Sequence, residues 1–319
     1  MVGTKTVDKD LKRLSRVEKA TLQLGKGNAK IGVGLLFILA VWAYLAWQSG
    51  TGEGELFVVA AGVIGAYMAL NIGANDVANN VGPAVGSAAL TMTGALVIAA
   101  VFETAGAVLA GSDVVSTIRK GIIDPAGIAS ATHFTWAMMA ALLSAALWIN
   151  LATWVGAPVS TTHSIVGGVM GAGIAAAGWG AVNWVTMSKI AASWVISPVL
   201  GGLVAAGFLA LIKFMIVFKD DKISAAKGWV PILVAIMAAA FSTYLIMKGL
   251  KNIWKPGGTV LVTIAIASFF IAWQLVRVWV ARAAEGLDNN RKSVSTLFTV
   301  PLICSAAMLS FAHGANDVA

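Results

Sequence analysis

The amino-acid sequence predicts an all-α polytopic membrane protein, and three observations carry that prediction. The first is composition: the 319 residues are 59% hydrophobic and 11% charged, with a mean hydropathy of +0.85, whereas soluble domains carry about 25% charged residues. The second is pattern. Nine apolar runs lie near 31–48, 56–78, 89–111, 133–155, 160–179, 190–216, 229–248, 258–281 and 296–319. Each is read as a helix that crosses about 30 Å of hydrocarbon, which takes roughly 20 residues; none shows the short period-two alternation of a barrel strand. The third is a duplication. Gly73-Ala74-Asn75-Asp76-Val77-Ala78 recurs as Gly314-Ala315-Asn316-Asp317-Val318-Ala319, each copy inside an apolar run. A carboxylate in a bilayer is costly and marks an ion or substrate path. Two at a long offset suggest a repeated, transporter-like architecture with broken helices.

Residues 1–30 form a basic tail in which Lys5, Lys9, Lys12, Arg13, Arg16, Lys19, Lys26 and Lys30 outnumber Asp8, Asp10 and Glu18. Val7, Leu11, Leu14 and Leu22 fall near helical spacing, so the tail reads either as a helix on anionic lipid or as a solvated segment. The run 31–48 is an extra N-terminal span. It reads as a retained anchor, since no small-residue cleavage site follows it. Residues 56–216 read as a first repeat, 217–228 as a cytoplasmic loop, 229–295 as connecting spans, and 296–319 as the start of a second, incomplete repeat.

Positive charge orients these spans. With the tail cytoplasmic, Lys213, Lys219, Lys222, Lys227, Arg277, Arg282, Arg291 and Lys292 also fall inside, against Arg119, Lys120, Lys248, Lys251 and Lys255 outside. The spans carrying Asp76 and Asp317 then run in opposite directions, the pattern of an inverted repeat. Such repeats place the substrate site near the midplane, between the two halves. Among the twelve Trp residues, Trp42, Trp47, Trp179 and Trp184 fall near the ends of predicted spans, as an aromatic belt requires.

Three constellations carry chemistry. Asn71, Asn75, Asp76, Asn79 and Asn80 crowd one apolar run between Gly73 and Gly82-Pro83, where the helix is expected to break. Carboxylate, amide and freed carbonyl oxygens suit a hard cation such as Na⁺; a protonatable Asp could instead carry H⁺. Pro158-Val159-Ser160-Thr161-Thr162-His163-Ser164 is expected to open a helix at Ser160–Thr162. Its free N–H groups, dipole end and three hydroxyls would cradle a tetrahedral oxyanion. His163 could donate to that anion or shuttle a proton. Glu103, in Phe102-Glu103-Thr104, is the remaining carboxylate within a span and could pair with a cation or relay protons. His313 precedes the second Asn-Asp copy where Ile72 precedes the first, and a proton role is open to it.

Other chemistries find little support. Cys304 is the single cysteine, so neither an internal disulfide nor a Cys-based metal cluster can form. Gly171-Ala172-Gly173 lies in an apolar span with no strand before it, and helix packing explains it. Ser160 and His163 have no orienting acid in sequence, so catalytic residues and cofactors are not expected. The net charge of +8 is concentrated in the tail and calls for no nucleic acid.

Together Gly73-Ala74-Asn75-Asp76-Val77-Ala78-Asn79-Asn80, Phe102-Glu103, Pro158-Val159-Ser160-Thr161-Thr162-His163 and Gly314-Ala315-Asn316-Asp317 resemble the inorganic phosphate transporter (PiT) family over residues 56–319. The tail and first span look like an addition seen in some bacterial members. The resemblance implies symport of inorganic phosphate with Na⁺ or H⁺, two inverted repeats, a homodimer, and a multi-pass protein of the bacterial plasma (inner) membrane. It would put phosphate on Ser160, Thr161 and Thr162. It would put the coupling cation, Na⁺ included at Asp76 and Asp317, among Asn75, Asp76, Asn316 and Asp317, with Glu103 essential; the residues themselves add Asn79 to the cation cluster and His163 and His313 as supporting groups. The family's second Ser-Thr-Thr segment is absent from these 319 residues, so the chain reads as a fragment of a longer protein. Sulfate or another tetrahedral oxyanion is the close alternative; an anion channel and a membrane enzyme acting on phosphate esters are more distant.

Overall fold

The computed structural model describes residues 28–49, 53–250 and 254–318. The basic tail up to residue 27 and its expected amphipathic helix lie outside the described residues. Each apolar run becomes helix. In order these are α1 (Asn28–Gln48), α2 (Glu53–Gly86), α3 (Met92–Ala110), the short α4 (Ser112–Lys120), α5 (Ala131–Val155), α6 (Thr161–Ala177), α7 (Trp184–Ile212), α8 (Lys222–Tyr244), α9 (Gly258–Ala283), α10 (Arg291–Leu297) and α11 (Thr299–His313). Among the described residues, six helices are long and apolar enough to cross a membrane, and α10 with α11 forms a further span bent by 47°. The chain is therefore a multi-pass membrane protein. The run expected to span at 160–179 is shorter than a full crossing: α6 has 17 residues, roughly 26 Å at 1.5 Å per residue.

One expectation fails outright. The helix does not break at Gly73 or at Gly82-Pro83; α2 continues for 34 residues with Pro83 inside it. In lipid a broken helix leaves backbone N–H and C=O groups without water to bind. The roughly 1 kcal/mol propensity cost of a glycine is too small to force that. Pro83 removes one backbone bond, the one its own nitrogen would have made to the Asn79 carbonyl, and the helix closes again beyond it, with Ser87 N–H on the Pro83 carbonyl at 3.0 Å.

The chain divides into two compact units, residues 1–88 with 118–183, and 89–117 with 184–319. In the first, α1 packs on α2, α2 on α5, and α5 on α6. The α5–α6 hairpin turns at Gly156, whose φ of 74° favours glycine. The Gly156 N–H returns to the Ala152 and Thr153 carbonyls, closing the α5 C-terminus. Where α6 faces α5, Gly168 brings its backbone against Ala141: a Cβ there would lie 2.7 Å from the Ala141 carbonyl oxygen. Far from this turn, the Ile122–Asp124 and Ala181–Asn183 segments join. Asp124 N–H donates to the Ala181 carbonyl and Asn183 N–H to the Ile122 carbonyl, each at 2.9 Å.

The second unit is built on the α8–α9 hairpin and on the packing of α3 against α11. Ile216, Ala226, Val230, Val280, Val294 and Leu297 are buried together at one end of the hairpin. Asn289 ties the neighbouring loops, accepting from Lys222 N–H at 2.8 Å and donating to the Asp220 carbonyl at 2.7 Å. Phe311 on α11 makes edge contacts with Phe241 and Tyr244, ring centroids 5.5 and 6.4 Å apart. Gly106 on α3 and Gly314 after α11 allow the two backbones to meet. A Cβ on Gly106 would strike the Phe311 carbonyl, and one on Gly314 the Glu103 carbonyl, the close approach that small residues permit in membranes.

Candidate functional site

In the first unit, Asp76 is buried in the last third of α2, and a hydroxyl on another helix reaches it. Thr161 Oγ1, at the first residue of α6, donates to Asp76 Oδ2 at 2.8 Å; both residues are buried. The α6 start is capped as its sequence requires. Ser160 has extended backbone, and its Oγ accepts the His163 N–H at 3.2 Å. Ser164 Oγ donates to the Ser160 carbonyl at 2.8 Å. Ser160 and His163 are exposed and Thr162 is half-buried. One of the three hydroxyls expected around an anion is thus turned to the carboxylate, while Ser160 and Thr162 flank it at the open helix end.

A ladder of side-chain amides joins α2 to α5. Asn71 Nδ2 donates to the Tyr67 carbonyl at 2.8 Å, and Asn150 Nδ2 to Asn71 Oδ1 at 2.9 Å. One turn on, Asn75 meets Thr153 Oγ1 at 3.0 Å. The pairs 71–150 and 75–153 follow the same order along both helices, so α2 and α5 run parallel, as spans two apart must. The other end of the Asn75 amide lies 3.1 Å from Asp76 Oδ1 and 3.2 Å from the Val159 carbonyl oxygen. With nitrogen at that end, the amide donates to both acceptors and its oxygen accepts from Thr153. Asp76 then accepts on both oxygens, from Asn75 and from Thr161. Asn79 is exposed and stands apart from the buried Asn71, Asp76 and Asn80.

Asn150 and Thr153 were not foreseen. Each is a single polar residue in a 25-residue helix of otherwise largely apolar composition. Their one signal is the i, i+3 spacing, which puts them on one face and matches the i, i+4 spacing of Asn71 and Asn75.

The second unit holds a separate polar cluster. Glu103 on α3 is buried, and its Oε1 lies 3.2 Å from His313 Nδ1; His313 Nε2 is 3.9 Å from Asp317 Oδ2. His313 therefore stands between two carboxylates, a relation that sequence spacing cannot give for Glu103. Asn316 Nδ2 donates to the Ala312 carbonyl at 2.8 Å, and Asn316 is exposed. The two copies of the hexapeptide differ in backbone: the first is α-helical, the second a π turn over Gly314–Val318, a geometry frequent at functional sites.

Residues 72–319 match the profile of the phosphate transporter family. A Helicobacter pylori (strain J99) protein named "Putative phosphate permease" is 51% identical over 97% of this chain and 58% of its own length. One of the same name from Chlamydia trachomatis is 36% identical over 83% of this chain and 67% of its own. A solved structure described as the sodium-dependent phosphate transporter matches with a TM-score of 0.76 and 35% identity, over 82% of this chain and 64% of that one. The chain spans 58% of the length of the Helicobacter relative.

Proposed function

This chain belongs to the phosphate transporter family, and on that premise we propose that it serves a secondary active transporter moving inorganic phosphate across a bacterial inner membrane in symport with Na⁺ or H⁺. The observation that carries the reading is the 2.8 Å bond from Thr161, in the hydroxyl-rich start of α6, to the buried carboxylate of Asp76.

The α6 N-terminus offers what a tetrahedral anion needs: a helix start with its N–H groups directed outward, the positive dipole end, and the hydroxyls of Ser160 and Thr162 beside Thr161. One hydroxyl away lies a carboxylate. Like charges at such range repel strongly in a low-dielectric setting, so phosphate binds poorly while Asp76 is a bare anion. A cation at Asp76, held with Asn75 and with Asn79 brought in on closure, turns that repulsion into attraction. The two solutes therefore bind together, which is the physical basis of symport. Asn316 and Asp317 form the corresponding cation position in the second unit, with Glu103 and His313 as its supporting groups; His163 supports the anion end. In the family's architecture the two motifs belong to inverted repeats that alternate access. The proposed assembly is a homodimer with a cytoplasmic N-terminus.

The test is phosphate uptake into proteoliposomes with Na⁺ and pH gradients imposed separately. Accumulation above the external concentration under either gradient is expected. Flux that only equilibrates phosphate would instead indicate a channel. A cradle of hydroxyls and N–H groups accepts sulfate as readily by shape, so sulfate is added as a competitor. Equal inhibition by sulfate and unlabelled phosphate would make the substrate class tetrahedral oxyanions.

A further inference from the structure

We infer that a groove in the second unit, between α7, α8 and α11, binds an anionic glycerophospholipid: one acyl chain lies in the groove, and Lys213, Arg291 and Lys292 receive the phosphoryl headgroup. The groove has a volume of about 520 Å³, within the range of small-molecule sites. Its walls run from Ile212, Leu233 and Phe298 at one end to Phe208, Ala240 and Ser305 at the other, and Ser305 is the polar member of an otherwise apolar lining. Phe208, Ala240 and Ser305 are exposed, so the groove opens outward, and around membrane spans the surroundings are hydrocarbon.

Positive charge is gathered at the Ile212–Phe298 end. Lys213 lies within one turn of Ile216, and Arg291 and Lys292 within one turn of Val294. Ile216 and Val294 are buried in one cluster, against which Phe298 also packs. All three cations are exposed. The segments 213–227 and 277–292, which meet in that cluster, hold eight basic residues against four acidic ones. One of the acids, Asp221, is engaged as the α8 cap, accepting the Ser224 N–H at 2.9 Å. Such a field selects an anionic headgroup over a neutral one.

The depth of the groove matches a lipid tail. From Leu233 to Ala240 on α8, and from Phe298 to Ser305 along α11, the walls extend roughly 10 Å at 1.5 Å per residue. The hydrocarbon of one leaflet is about 15 Å thick. A chain that enters beside the cations therefore stays within a single leaflet, head outward and tail inward. Dispersion attracts any acyl chain to the apolar walls, and the cations add the choice of headgroup. The α10–α11 span bends by 47° between Leu297 and Thr299, so the occupant packs directly against that bend. The site stands apart from the transport chemistry and is read by binding alone.

The test strips lipid from the purified protein in mild detergent and titrates it with phosphatidylglycerol or with phosphatidylcholine of matched acyl chains. Bound lipid is counted by native mass spectrometry, and thermal unfolding is followed in parallel. One tightly held phosphatidylglycerol per chain is expected, with a raised unfolding midpoint and a preference that shrinks at high salt. Lys213→Gln is expected to weaken phosphatidylglycerol about fivefold, the effect of one cation beside an anionic headgroup, and to leave phosphatidylcholine unchanged. Ser305→Phe fills the groove from an exposed position and is expected to remove the tight phosphatidylglycerol. It leaves the basic tail of residues 1–30 intact, so that loss separates groove binding from binding by the tail. If Ser305→Phe fails to fold, the triple variant Lys213→Gln, Arg291→Gln, Lys292→Gln changes exposed positions alone and carries the test. Equal affinity for the two lipids, tight phosphatidylglycerol retained in Ser305→Phe, or an unchanged preference in the triple variant overturns the proposal. A changed oligomeric mass in Ser305→Phe with lipid binding unaltered also overturns it, since the groove then receives protein and not lipid.

Discussion

Thr161 and Asp76 are 85 residues apart in sequence and share a 2.8 Å hydrogen bond. The bond joins a helix end built to receive an anion to a carboxylate that opposes one. Because Asp76 is a few ångströms from that end, its charge state sets the electrostatic cost of binding there. Replacing it with a neutral amide keeps a side chain that Thr161 can still donate to, but removes the charge that a cation would neutralise. Asp76→Asn is expected to abolish gradient-driven uptake while leaving the protein in the membrane at normal levels. Phosphate accumulation at the wild-type rate in this variant would show that Asp76 is not the coupling group.

Thr161 itself is tested by separating its hydroxyl from its shape. Thr161→Val preserves volume but takes this donor away from the buried Asp76 Oδ2, and a lost hydrogen bond to a charged group is worth about 1.5–3 kcal/mol. Thr161→Ser restores the donor. The expectation is a lower unfolding midpoint and lost uptake in the valine variant, with both recovered by serine. Equal losses in the two variants would point to methyl packing instead of the bond.

Glu103 and His313 offer a different kind of measurement, because the 3.2 Å contact between them predicts energetic coupling. Glu103→Gln, His313→Gln and the double variant form a cycle whose unfolding free energies should be non-additive by about 0.5–3 kcal/mol, as residues in one polar network are. Additivity to within a few tenths of a kcal/mol would show that the two side chains do not depend on one another.

The sequence was most readable where chemistry is local. Apolar runs became helices, and Ser160 caps α6 because a hydroxyl before an apolar run can accept a first-turn N–H. Reading failed where the bilayer or the tertiary fold decides. Gly73 and Pro83 look like breakers by propensity, yet backbone hydrogen bonding in lipid carries α2 through both. Asn150 and Thr153 carry no local signature at all. Their meaning comes from Asn71 and Asn75 on α2, 79 and 78 residues away, and exists only once the two helices are side by side.

Close backbone contact between α3 and α11 gives a stability prediction independent of transport. A methyl on Gly106 would meet the Phe311 carbonyl, and one on Gly314 the Glu103 carbonyl. Backbone atoms in packed helices cannot yield as a flexible side chain would, so each Gly→Ala change should destabilise by about 1–3 kcal/mol. Gly65→Ala on α2, with nothing within 4 Å of the added methyl, serves as the control and should be near neutral. Thermal unfolding in detergent decides the matter, and equal midpoints for Gly106→Ala and Gly65→Ala would contradict the close approach.

Ser310 presents the opposite case, a polar group whose loss should help. It lies fully buried on α11, one turn before His313, and its hydroxyl makes no hydrogen bond among the described residues. Burying a hydroxyl without a partner costs about 1–3 kcal/mol, and alanine removes the cost at the expense of one small atom's packing. Ser310→Ala is therefore expected to raise the unfolding midpoint while leaving phosphate uptake intact. If uptake falls while stability rises, the hydroxyl is held unsatisfied for use during transport, when α11 shifts and the group acquires a partner. If stability falls, the hydroxyl is already paired in the membrane-embedded protein.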